Sequence, residues 1–400
     1  MDFRNLNRAS LKDNYPLPKM DFVLQKVTGA YRLSMVDGFS GYNQVAVEKE
    51  DQKKTAFTTP WGTFMYARMP FGLMNAGATF QRAMDIAFVG DTFVVVYLDD
   101  VTIFSKSDEE HLQHLQKAFM KCRKFGLSLN PKKSLFALEE GKLLGHIVSK
   151  EGVKIDPARV EAIQTIPLPR SKKDIQRFLG KINFLRRFVP NYAEIVKKIT
   201  DMLKKNAEVR WDKEARESFQ RIKEALKEAP VLVSPDYLKP FQIFSFASPS
   251  TIAAVLLQRN EEKQEQPVAY FSKVLRDAEL NYNILEKQVY ALVKALKAFR
   301  TYVLHSQILA YVPNSAVKDV LVQSDVEGKR GKWIAKIQEY DLDIKPTKLV
   351  KGLGLAKLLI ESNFQALGIN LLAPVEEADG ETRDNQSKTA IKYKFLCSDW

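Results

Sequence analysis

The residues best placed to do chemistry are three carboxylates. The run Thr92–Ser105 reads Thr-Phe-Val-Val-Val-Tyr-Leu-Asp-Asp-Val-Thr-Ile-Phe-Ser, two β-branched and aromatic stretches around one Leu-Asp-Asp step. That pattern predicts a hairpin whose tip carries Asp99 and Asp100. Its approaches are apolar, so two adjacent anions repel there unless a cation neutralises them. A divalent metal with oxygen ligands is the natural candidate. Alone, an Asp-Asp step is also ordinary turn chemistry. Asp37 shifts the balance, because it closes another apolar strand (Leu33, Met35, Val36) and precedes a Gly-rich turn. If the two strand ends pair, three carboxylates can hold two cations about 3.5–4 Å apart, the geometry that clamps attacking and leaving oxygens in phosphoryl transfer. No protein nucleophile is needed, which suits a chain without a Ser/His or Cys/His arrangement.

The elements that must position these groups follow from pattern. A short amphipathic helix is expected over about Met20–Gln25, a strand over Tyr31–Val36, and turn then strand over Ser40–Val45. Thr55–Thr59 and Thr63–Arg68 read as a hairpin through Pro60-Trp61-Gly62. The loop Met69–Leu73 opens a helix over Ala76–Ala87, and a further helix covers Glu109–Lys124. Leu127–Asn130 and Leu143–Val148 add strands.

From Pro157 the pattern turns helical. Ser171-x-x-Asp174 is a capping box for a helix with Ile175, Phe178, Leu179 and Ile182 on one face. Its other face holds Lys172, Lys173, Arg177 and Lys181, with Arg186 and Arg187 beyond; such a face is either simply solvated or suited to a phosphate backbone. Near Phe241 a third segment opens, with strands at Phe241–Phe246, Thr251–Leu257, Val268–Phe271 and Ile308–Val312 around a helix at Tyr282–Tyr302. Residues from about 374 have turn and disorder composition and read as a tail.

The 400 residues are 45% hydrophobic, enough for two or three cores. A net charge of +13 points to a polyanionic partner, most simply nucleic acid. Cys122 and Cys397 with four scattered histidines build neither a zinc site nor a disulfide framework. His111 and His114, among Asp108, Glu109 and Glu110, read as a solvated helix start. No signal-like or membrane-length apolar run occurs, so an intracellular setting, a cytoplasmic particle or the nucleus, is expected.

Motifs now converge. Tyr97-Leu98-Asp99-Asp100, Val36-Asp37-x-x-Ser40-Gly41-Tyr42, and Met69-Pro70-Phe71-Gly72-Leu73-x-Asn75-Ala76-x-Ala78-Thr79-Phe80-Gln81 resemble the reverse transcriptase of gypsy-type long-terminal-repeat retrotransposons. Leu129-Asn130-Pro131-x-Lys133, Leu144-Gly145-His146, Asp2-Phe3-Arg4-x-Leu6-Asn7 and Tyr15-Pro16-Leu17-Pro18 continue the match over about residues 2–160. The resemblance implies an α+β right-hand polymerase with palm and partial fingers at 1–155, a helical thumb and connection at 156–238, an α/β ribonuclease H-like domain at 239–362 and a linker or tail at 363–400.

By that likeness Asp37, Asp99 and Asp100 bind two Mg²⁺ or Mn²⁺ ions. Tyr42 crowds a ribose 2′-hydroxyl or is a plain core tyrosine, and Phe71 and Gly72 floor the nucleotide pocket. Lys133 donates a proton to pyrophosphate or is simply solvated. Leu144, Gly145 and His146 steady the primer end, and Lys172, Arg177 and Lys181 track the template–primer. Expected partners are an RNA or DNA template–primer and dNTPs and no membrane, with a homodimer or other element-encoded proteins left open.

Two departures stand out. Family members carry finger strands before Asp-Phe-Arg whose cations grip the triphosphate, and this chain starts after them, like an internal piece of a polyprotein. Without those charges several charge-assisted bonds to phosphate are missing. In the third segment, Ala254-Val255-Leu256, Val268–Lys273 and Glu286-Lys287 resemble the ribonuclease H-like domain, yet the positions expected to be acidic hold Phe246, Gln288, Pro313 and Lys357. A ribonuclease H shape without its activity is the expectation. The alternative to a working polymerase is a catalytically silent, retroelement-derived nucleic-acid-binding or structural protein. A decaying fragment with no selected role is not separable from that alternative by sequence.

Overall fold

A computed structural model of the chain describes residues 1–313, 315–322 and 328–346. Its first sheet is antiparallel and small. Walking the chain, the strands are β1 (Arg32–Asp37), β2 (Phe57–Thr59), β3 (Gly62–Phe64), β4 (Val94–Tyr97), β5 (Asp100–Ser105) and β6 (Leu135–Leu138). Of these β4-β5-β1-β6 form one sheet and β2-β3 an isolated hairpin. β4 reads Val-Val-Val because both faces of the sheet are covered. Val94 and Val96 pack with Phe80 and Met84 of the helix Ala76–Ala87 and Ala118 and Cys122 of the helix Asp108–Phe125. Val95, between them, joins Val23, Leu24 and Val27 of the helix Met20–Val27 on the opposite side.

β7 (Glu140–Leu143), β8 (His146–Ser149) and β9 (Val153–Ile155) make a second antiparallel sheet, and helices follow from Pro157 to Lys227. The helix Lys172–Asn183 starts where expected, with Ser171 Oγ accepting from the Asp174 amide. A third sheet comprises β10 (Phe241–Ala247), β11 (Thr251–Arg259), β12 (Glu265–Val274), β13 (Ile308–Val312) and β14 (Leu342–Pro346), ordered β12-β11-β10-β13-β14. β10, β11 and β12 are antiparallel, whereas β13 runs parallel to β10 and needs the crossover helix Ile284–Ala298. Phe241, Ile243, Ala254 and Leu256 bury against that helix. Phe244, Ala253, Val255 and Tyr270 face the other way, into the core shared with the helical segment and the helix Met20–Val27. One apolar core therefore runs through the middle of the molecule.

Several expectations needed correction. Ser40–Val45 is a 3₁₀ turn over Gly41–Gln44 rather than a strand. Leu127–Asn130 forms only an isolated bridge between Leu129 and Gly38, because its polar backbone groups serve neighbouring loops: Phe39 donates to the Ser128 carbonyl and Asn130 to that of Asp37. Leu143–Val148 is two strands joined by a turn. Arg186 and Arg187 are not part of a solvated basic face. Arg186 donates to the Ser272 carbonyl, and Arg187 reaches Asp21 and the Tyr302 hydroxyl, each at 2.8 Å, tying three regions together.

Candidate active site

Register brings the carboxylates together. Asp37, the last residue of β1, lies directly opposite Asp100, the first of β5. Asp100 also faces Tyr97 across the β4–β5 hairpin, leaving Leu98-Asp99 as a two-residue loop. Opposed residues of an antiparallel pair hold their Cβ atoms about 4.5–5.5 Å apart, so Asp37 and Asp100 share one patch with Asp99 beside them. Leu98 takes φ 52°, a conformation that strains an L residue and that a tight hairpin of this length requires.

Buried Gln81 holds the strained loop. Its Oε1 accepts from the Leu98 amide at 2.8 Å, and its Nε2 donates to Asp85 at 2.9 Å and to the Val96 carbonyl at 3.3 Å. The Gly38 amide donates to the Asp99 carbonyl at 3.1 Å. At Gly41 a Cβ would run into the Asp99 carboxylate, so a larger residue would have to displace that side chain. Gln81 and Gly41 sit in the quoted motifs, but spacing alone gave no reason to assign them work.

The site is electrostatically unsettled. Burial pushes the Asp99 carboxyl above its ordinary value, and the charges of Asp37 and Asp100 add to this while Lys133 opposes it. Burial and then Asp37 do the same to Asp100. Asp37 has the support: Lys133 Nζ stands 3.7 Å from it, Asn130 Nδ2 is at 3.5 Å, and its amide donates to Ser134 Oγ at 3.3 Å. Asp99 Oδ1 is buried with no hydrogen-bond partner.

That orphaned oxygen among repelling carboxylates fits a divalent cation. Among the described residues no three acidic, His or Cys side chains already converge on one cation position.

On the nucleotide side, Tyr42 lies between Phe71 and Phe80, ring centroids 5.2 and 5.6 Å away, and burial and then the Asp99 charge raise its hydroxyl's pKa. Phe71 is exposed, and Gly72 (φ 97°) is clamped by Asn7, which donates to the Gly72 carbonyl at 2.9 Å and accepts from Met74 at 2.8 Å. The Asp-Phe-Arg-x-Leu-Asn motif thus braces this loop.

Leu144 and Gly145 form the β7–β8 turn with φ 48° and 76°, the positive pair that a tight two-residue hairpin requires. His146 does not join them at a primer end. Its ring is fully buried against Phe184 and Phe188, and Nδ1–H donates to the Leu144 carbonyl at 3.2 Å. Burial first, then the nearby Arg187 charge, holds its pKa down at about 4. The apolar packing of the helix behind β8, invisible in a three-residue motif, is the reason.

Lys172 donates to the Lys204 carbonyl at 2.8 Å, Arg177 pairs with Asp174 at 3.2 Å, and Lys181 is exposed. Phe246 is buried in β10, and Pro313 is exposed just past β13. Gln288 is buried with both amide atoms on Ala247, accepting from its N–H at 2.9 Å and donating to its carbonyl at 3.0 Å. Lys357 and the 363–400 tail lie outside the described residues.

Residues 1–148 match the model of the reverse transcriptase (RNA-dependent DNA polymerase) family, and residues 211–310 that of the RNase H-like domain found in reverse transcriptase. Over these stretches the chain carries reverse transcriptase and RNase H-like family domains, and the relatives it matches are Pol polyproteins of retrotransposons. It is 37% identical over 347 residues to the retrovirus-related Pol polyprotein from transposon 297 of Drosophila melanogaster, covering 86% of this chain and 32% of that one. The transposon Tf2-3 polyprotein of Schizosaccharomyces pombe is 30% identical over 351 residues, covering 86% and 26%. The chain thus spans about a third of the length of the curated relatives it matches.

Foamy viral protease-reverse transcriptase in complex with double-stranded DNA superposes with TM-score 0.78 at 26% identity, over 88% of this chain and 63% of that one. The same protein with an RNA/DNA hybrid gives TM-score 0.73 at 24% identity, over 96% and 51%. Among the described residues no helix is long and apolar enough to cross a membrane.

Proposed function

We propose that this chain is the core of an RNA-directed DNA polymerase that extends a primer 3′-hydroxyl with dNTPs on an RNA or DNA template. The observation that carries the reading is Asp37 opposite Asp100 in the β1–β5 register, with the unpartnered Asp99 oxygen beside them. Asp37, Asp99 and Asp100 would hold two Mg²⁺ or Mn²⁺ ions, which supply activation of the attacking hydroxyl and charge stabilisation at the leaving pyrophosphate.

The remaining groups bind and orient. Tyr42, wedged between Phe71 and Phe80, rejects a 2′-hydroxyl, while Phe71 and Gly72 floor the base and sugar. Lys133, its Nζ 3.7 Å from Asp37, serves as proton donor to a departing pyrophosphate. The Leu144-Gly145 turn abuts the primer, and Lys172, Arg177 and Lys181 follow the backbone. In this reading residues 1–155 are palm and partial fingers, 156–238 thumb and connection, 239–362 a ribonuclease H-like domain and 363–400 a tail. Phe246, Gln288 and Pro313 give that domain no ligands for a nuclease, so it does not cut.

Primer extension on an RNA template with Mg²⁺ or Mn²⁺ tests the proposal. Incorporation that disappears in Asp99→Asn supports it. Tight template–primer binding with no extension by the wild-type chain supports the silent binding protein instead. The RNA of an RNA–DNA hybrid should stay intact throughout, and specific cleavage would overturn the assignment of a dead nuclease.

A further inference from the structure

The helical segment carries a groove of about 830 Å³ whose apolar floor has no part in the proposed chemistry. Leu168, Phe178, Val209 and Trp211 line its floor, and Trp211 is fixed by donating its indole N–H to the Pro169 carbonyl at 2.7 Å. Around the rim stand Arg170, Arg177, Lys181 and Arg216 against a single carboxylate, Asp174. Asp174 is already engaged by the Ser171 hydroxyl at 2.7 Å and by Arg177 at 3.2 Å. The groove is therefore apolar at the bottom and cationic at the edge. Its natural occupant is a chain segment that is apolar first and acidic next.

The sequence supplies such a segment. Leu371-Leu372-Ala373-Pro374-Val375 leads into Glu376, Glu377, Asp379, Glu381 and Asp384, offset only by Arg383, a net charge of −4 from five acids and one base. The rim it would meet carries +3, from four cations less one carboxylate. The residues between 346 and 371, fully extended, span up to roughly 85 Å, so the tether does not forbid the contact.

We infer that residues 371–384 dock in this groove, the leucines on the Trp211 floor and the acids against the arginine rim. Arg177 and Lys181 also belong to the proposed nucleic-acid face, so the docked segment competes with a phosphate backbone for them. The competition rests on the polymerase reading; the docking does not.

The test uses the full chain and a neutralised version carrying Glu376→Gln, Glu377→Gln, Asp379→Asn, Glu381→Gln and Asp384→Asn. Amide hydrogen exchange in residues 166–178 and 209–216 of the free protein should speed up in the neutralised chain, and in the wild type when salt is raised. Unchanged exchange at both places overturns the docking. Affinity for a primer–template duplex at low salt should tighten roughly threefold to tenfold on neutralisation, as expected when a blocked state dominates the free protein.

Arg170→Ala with Arg216→Ala should remove that gain, since the rim is then already open. A gain that persists undiminished in this background shows bulk charge at work and sinks the competition. If exchange responds but the duplex never binds, the docking stands and the polymerase reading fails.

Discussion

The palm loop and the equivalent positions of the RNase H-like sheet are both places where a nucleic-acid enzyme collects carboxylates, and they are built in opposite ways. Around Asp99 the fold tolerates costs: a leucine at φ 52°, like charges on facing strand ends, and a buried oxygen with no partner. Gln288 itself bears no such cost. The amide satisfies both backbone groups of Ala247, and Phe246 fills its space as a hydrophobe. On the proposed function, a site that receives cations and phosphates is left unsatisfied until they arrive. At Gln288 and Phe246 neutral side chains sit in ordinary packing, and Gln288 braces the crossover helix against β10.

The largest effect that could break this contrast is at Asp99. Asp99→Asn should reduce nucleotide incorporation by roughly 10³-fold or more, about 4 kcal/mol of transition-state stabilisation. In the metal-free protein the same change should raise stability by on the order of 1 kcal/mol, because it removes a charge that the fold disfavours. Urea denaturation in a chelator reads this second effect, and a loss of stability would mean the carboxylate is structural. Gln288→Glu is the mirror image. A carboxylate there cannot donate to the Ala247 carbonyl and faces it as a second acceptor, so a loss of about 3 kcal/mol is expected without any hydrolysis of a hybrid. A neutral outcome would show that the site still accommodates an acid.

Most of what the sequence disclosed was local or motif-borne. The helix Ala76–Ala87 and the Ser171 cap follow from periodicity and a side-chain oxygen three residues before its amide partner. The Asp-Asp hairpin follows from two β-branched runs around a tight loop. What was missed depends on distant partners. Gly41 has no room for a Cβ because the Asp99 carboxylate, far along the chain, stands against it. Arg186 and Arg187 read as surface cations until the regions bearing Ser272, Asp21 and Tyr302 come to meet them. His146 belongs to a motif whose likeness suggests a primer contact, but Phe184 and Phe188 arrive from the helical segment and bury it. β6 escaped notice because its Leu135 and Phe136 are exposed, leaving no alternation to read.

Acid should separate the two kinds of region. Asp99 and Asp100 have folded values above their unfolded ones, so their charge penalises the fold at neutral pH and that penalty fades as pH falls through the raised values. His146 has the opposite sign. Its folded value is about 4 against 6.5 for an ordinary histidine, so the unfolded chain takes up the proton first and stability falls as pH drops from 6.5 to 4. The loss should reach about 3 kcal/mol. Denaturation midpoints across that window should decline in the wild type and flatten in His146→Phe, which keeps the stack on Phe184 and Phe188. An unflattened decline would place the acid-sensitive group elsewhere.

The smallest effect probes the loop strain itself. Glycine in place of alanine normally lowers stability, because it frees the unfolded chain. At position 98 the order should invert. Leu98→Gly and Leu98→Ala lose the same side-chain packing, but only glycine adopts φ near 50° without penalty, so Leu98→Gly should be the more stable of the two by about 1 kcal/mol. The usual order, with alanine ahead, would mean that the Gln81 contact to the Leu98 amide relieves the loop completely and that no strain is held beneath Asp99.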